Sequence, residues 1–107
     1  MSQKRIGQIE RKLARIKESL GRIGPMRPGS LTRQYRHPKE RAGGYWQISY
    51  TRRMKSHTEY VRSEWEPDLR KQIANYKRFT CLIEQWIDLS IECSRLRMQI
   101  PKQEQTG

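Results

Sequence analysis

Tyr45-Trp46-Gln47-Ile48-Ser49-Tyr50-Thr51 is the stretch whose reading decides the fold. Trp46, Ile48 and Tyr50 alternate with Gln47, Ser49 and Thr51, the period of a strand with one face buried and one face wet. After it, Arg52-Arg53-Met54-Lys55 holds no glycine, which predicts a four-residue turn. Residues 56–62, with Thr58, Tyr60 and Val61, read as the returning strand, and 31–36 as a third, weaker one. Between them the polar, basic stretch 37–44 reads as a loop closing on Gly43-Gly44. The β-region thus covers 30–62.

On both sides the period becomes helical. Ile6, Ile9, Leu13, Ile16, Leu20 and Ile23 recur three and four residues apart, a heptad stripe on a helix over 2–22. Gly24-Pro25-Met26-Arg27-Pro28-Gly29-Ser30 then forms a stiff turn. A second helix, over 64–100, carries Phe79, Leu82, Trp86, Leu89, Cys93, Leu96 and Ile100 at the same spacing and stops before Pro101. Ile73, Tyr76, Ile83 and Ile87 widen its apolar face enough for two neighbours. The expected architecture is α+β: an N-terminal helix, a short three-stranded antiparallel sheet or hairpin, and a long C-terminal helix pairing antiparallel with the first. One domain over 1–102 is expected, with 103–107 a disordered tail.

Ile, Leu, Val and Phe make up only 19 of 107 residues, too few for a large, self-sufficient enzyme core. No stretch is apolar enough to span a membrane, and the first residues are charged where a leader peptide would be apolar. Cys81 and Cys93 fall on different faces of one helix and cannot pair within it, which points to a reducing, cytoplasmic setting. Net charge is +12, and all of it lies in residues 1–63, because 64–107 hold seven residues of each sign. A positive half facing a polyanion and a neutral half facing protein produce such a split.

Gly24-Pro25-Met26-Arg27-Pro28-Gly29-Ser30-Leu31, Tyr35, Gly44-Tyr45-Trp46, Ser49-Tyr50, Glu59-Tyr60-Val61 and Asn75-Tyr76-Lys77-Arg78-Phe79 follow one another in an order that resembles a domain-of-unknown-function family of small prokaryotic proteins. The resemblance covers about residues 5–95. It implies a leading helix, a Gly-Pro-x-x-x-Gly-Ser turn, a short β-region and a closing helix, in proteins often encoded near mobile genetic elements. Relatives often carry cysteines between the first strand and the Tyr-Trp strand that could hold zinc. Here residues 37–44 contain none, so no metal site is carried over.

The residues offer little for catalysis. His37 and His57 stand alone, and no phosphate loop, nucleophile elbow or paired cysteines occur. Glu84, Asp88 and Glu92 share a helix face without a histidine and read as solvated. No enzyme, cofactor or metal is expected. The expected partner is nucleic acid, DNA ahead of RNA, bound by an accessory subunit of a mobile-element or other nucleoprotein machine. Its contacts would be Gln47, Ser49 and Thr51 on base edges, with Arg27, Arg33, Arg36, Lys39, Arg41, Arg52, Arg53 and Lys55 on phosphates. Tyr45, the aromatic expected to stay exposed, is the remaining expected nucleic-acid contact. Trp65 and Trp86 read as core or interface. Phe79, Leu82, Ile83, Trp86, Leu89, Cys93 and Leu96 form an expected partner interface, in a homodimer or a larger complex. Two other readings fit the same chain: a helical adaptor binding a larger protein through residues 73–100, and an RNA-binding ribonucleoprotein subunit.

Overall fold

The computed structural model describes residues 2–102; the expected tail at 103–107 lies outside them. The elements run α1 (Ser2–Gly21), β1 (Ser30–His37), β2 (Ala42–Arg52), β3 (Lys55–Val61), a 3₁₀ turn (Ser63–Trp65) and α2 (Glu66–Met98). The α+β architecture read from the sequence is the one observed. Contacts divide the chain into two compact units. One holds the residues up to Ile23 together with those from Phe79 onward, and the other holds Gly24–Arg78.

In the first unit α1 and the second half of α2 form an antiparallel pair. Buried Ile6, Ile9 and Cys93 make its core, with Leu13, Leu89, Leu96 and Ile100 packed around them. Farther along α1, Lys12, Ile16 and Ser19 share a groove with Leu82, Gln85 and Leu89, and the Lys17 ammonium lies 5.3 Å from the centre of the Trp86 ring. Ion pairs close both flanks: Arg5 grips the Glu92 carboxylate through Nε at 2.6 Å and a terminal nitrogen at 2.9 Å, and Arg97 reaches Glu10. The pair of Glu92 with Arg5 holds this carboxyl below its ordinary range, chiefly through the hydrogen bond, against a smaller opposing effect of burial.

In the second unit the sheet order is β1-β2-β3, antiparallel throughout. Ile48 at the centre of β2 is fully buried, and Val61 nearly so. The first turns of α2 lie along this inner face. Arg70 sits 5.2 Å from the centre of the Trp46 ring, and Ile73, Ala74 and Lys77 line a groove with Gly29, Ser30 and Leu31. The Gly-Pro turn is tied to α2 twice. The Arg27 backbone N–H donates to the Gln72 carbonyl (3.2 Å), and the Asn75 side-chain amide donates to the Pro25 carbonyl (2.9 Å).

Three local expectations are corrected. The β2–β3 connection is a two-residue turn, Arg53-Met54, closing on the Arg52–Lys55 pair, not a four-residue one. Both residues take positive φ (53° and 67°), so the chain adopts without glycine the left-handed pair that a type I′ turn needs. Residues 37–44 are not a loop throughout, because β1 runs to His37 and β2 begins at Ala42, with Arg41 and Gly43 at positive φ in the reversal. Trp65 is neither core nor covered: it lies 54% exposed in the 3₁₀ turn.

Candidate nucleic-acid interface

Residues directly opposite in an antiparallel ladder share a face, and neighbours along a strand alternate. The register therefore sorts the sheet. Leu31, Arg33 and Tyr35 lie with Trp46, Ile48, Tyr50 and with Val61, Glu59, His57 on the inner face. The outer face consists of four rows: Ser30, Ser49, Thr58; Thr32, Gln47, Tyr60; Gln34, Tyr45; and Thr51, Ser56. All ten of these side chains carry a hydroxyl or an amide, and none carries a charge. The expected outward set of Gln47, Ser49 and Thr51 lies on this face together.

Two of its aromatics meet. The Tyr45 and Tyr60 rings lie 6.1 Å apart at 38°, and Tyr60 is 66% exposed while Tyr45 is half-buried. Tyr60, not Tyr45, is thus the more open ring. Within β1 the Gln34 amide donates to the Thr32 hydroxyl at 3.1 Å.

Basic side chains gather at both ends of the sheet, and by the same register the Arg52–Lys55 pair continues the inner face while Arg36 continues the outer one. Arg52, Arg53 and Lys55 stand at the β2–β3 turn, while Arg36, Lys39 and Arg41 stand at the β1–β2 reversal. All six are exposed, and none joins the ion pairs found among the described residues. The two groups are separated by the length of β2, about 33 Å at the usual rise.

Two expected phosphate ligands lie elsewhere. The centre of the Arg27 guanidinium lies 5.0 Å from the centre of the Tyr50 ring, and one of its terminal nitrogens lies 3.5 Å from a Glu59 carboxylate oxygen. Tyr50 also donates its hydroxyl to Glu59 at 2.9 Å, which raises that phenol above its ordinary pKa. Arg33 lies over the opposite end of the inner face, 5.3 Å from the centre of the Trp46 ring. Both arginines serve the inner packing through cation–π contacts rather than the outer face.

The helical interface residues are also redistributed. Leu89, Cys93 and Leu96 belong to the α1–α2 core, and Leu82 and Trp86 lie beside α1, so within the chain this stripe already has a neighbour. Phe79 and Ile83 are half-buried, while the apolar positions of α2 left most open are Ile87, Ile91 and Met98. No group of three or more metal-ligating side chains is gathered among the described residues, and no helix there is long and apolar enough to cross a membrane.

Sequence reading missed Ser30, Thr32, Gln34, Ser56, Thr58 and Tyr60 as partners of Gln47. The signal was present in the alternation of 30–34 and 56–60, but using it required the pairing register. Compared with protein-family models, curated proteins and solved structures, the chain matches none.

Proposed function

We propose that this protein binds duplex nucleic acid through the outer face of its sheet, DNA ahead of RNA, as an accessory subunit of a nucleoprotein machine of the kind mobile elements encode. One observation carries the reading. Ten uncharged, hydrogen-bonding side chains share the outer face of a sheet that carries three cations outside the ion pairs of the described residues at each of its two ends. Their separation of about 33 Å is close to one turn of B-DNA, about 34 Å. Cations fix a protein on phosphates without reading sequence, whereas amides and hydroxyls can read base edges. B-DNA's major groove admits strands, while the deep, narrow major groove of A-form RNA does not, which favours DNA.

The test is a binding titration against duplex DNA, duplex RNA and single-stranded DNA of common sequence pools. Gln47→Ala should relax sequence preference on duplex DNA, since a lost bidentate contact to adenine removes about 1–3 kcal/mol of discrimination. Its salt dependence should match the parent's. A Gln47→Ala protein with unchanged preference removes groove reading by β2. Preference for single strands, with Tyr45→Ala or Tyr60→Ala weakening binding most, would replace it with base stacking on the tyrosine pair.

A further inference from the structure

We infer that Met54 is a wedge that enters between stacked base pairs and kinks the duplex; the inference rests on the nucleic-acid reading above. Met54 is 98% exposed, the most solvent-bathed of the large apolar side chains among the described residues. It sits at the outermost point of a ribbon. Ser30 of β1 pairs with Ser49, so β2 beyond residue 49 and β3 before residue 58 continue as two strands alone, through the pairs Tyr50–His57, Thr51–Ser56 and Arg52–Lys55. Three residue steps carry the turn about 10 Å past the three-stranded sheet.

The backbone there is held in a conformation that its residues disfavour. Arg53 and Met54 are both left-handed, at φ 53° and 67°, where Asn-Gly would fit without a Cβ penalty. Fold stability therefore does not account for these two residue types. Strained positions of this kind gather at functional sites. The chemistry of the tip is also specific: a flexible, polarisable thioether is bracketed by Arg52, Arg53 and Lys55. A duplex offers the matching pattern, apolar base faces inside and phosphates on either side, and apolar wedges including methionine unstack base steps in kinked DNA. A lipid surface offers anions too. A single methionine, however, buries too little apolar area to hold a protein there.

The probe is an end-labelled DNA duplex with a central TA step, the step most easily unstacked, and a fluorescent base analogue beside it. The parent protein should shorten the end-to-end distance and relieve quenching of the analogue. Met54→Ala should bind with the parent's salt dependence and lose both signals, while Met54→Leu keeps them. Met54→Gly should raise the melting temperature, by relaxing the left-handed turn, and yet lose the kink. That opposition marks a side chain kept for contact rather than for folding. Equal kinking by parent and Met54→Ala, or binding by the parent with no kink, overturns the wedge and leaves the binding function standing. No duplex binding by the parent at low salt overturns both. Met54-dependent capture by anionic vesicles, with no effect of Met54 on the duplex, also overturns the wedge.

Discussion

At Gly29 the absence of a side chain is set by one neighbour. A Cβ there would lie 2.7 Å from Cγ1 of Ile48, which is fully buried, and the residue holds φ at +149°. Neither partner has room to yield, because Ile48 fills the centre of the inner face. Gly29→Ala should therefore cost about 1–3 kcal/mol in a denaturant melt. Gly44 makes the useful contrast. Its added Cβ would meet only the guanidinium end of Arg33, at 2.6 Å, and that end can swing into solvent. Gly44→Ala should melt close to the parent, and equal losses at both positions would remove the packing explanation for Gly29.

Between elements, the antiparallel helices are joined by charge at the flanks of an apolar seam. Glu92 is held below its ordinary pKa by Arg5, so its contribution to stability is complete above the unfolded value of about 4.3 and is lost as pH falls through the depressed folded value. Thermal melts of the parent should fall on the acid side of that range. Glu92→Gln should be less stable at neutral pH and show a shallower acid decline, and identical acid limbs would exclude Glu92 from the effect. Both helices were legible in the sequence, since their heptad stripes are long and interrupted only by Gly-Pro and Pro101. β2 was legible for the same reason at period two. The Arg53-Met54 turn was not, because its left-handed geometry is one that residue preference argues against. The composition of the outer face was hidden for a different reason: a slip of one residue in pairing moves every side chain to the other face, and nothing in β1 or β3 alone fixes that register. The seats of Arg27 and Arg33 on Tyr50 and Trp46 were not legible, because positive charge in a sequence does not show which ring a guanidinium lies against.

Over the whole molecule, charge is unevenly shared: residues 24–78 hold 13 Lys or Arg against five acids. If the six unpaired cations at the ends of the sheet all meet phosphate, the log–log slope of affinity against salt should be about −5 on duplex DNA. Replacing Arg52, Arg53 and Lys55 together by alanine should roughly halve it, with the helical circular dichroism unchanged. A flat salt response of the parent would remove the phosphate contacts. The unit built around α1 has another consequence, for the order of events during synthesis. Its two strands of sequence lie on either side of Gly24–Arg78, so α1 is synthesised well before Phe79 and the residues after it. At ordinary elongation rates that interval is roughly three to eleven seconds. Throughout it the isoleucine and leucine stripe of α1 is a nascent amphipathic segment without its mate. This makes the stripe of α1 a surface for a chaperone to cover, and the helix pair closes only once the second half of α2 has been made.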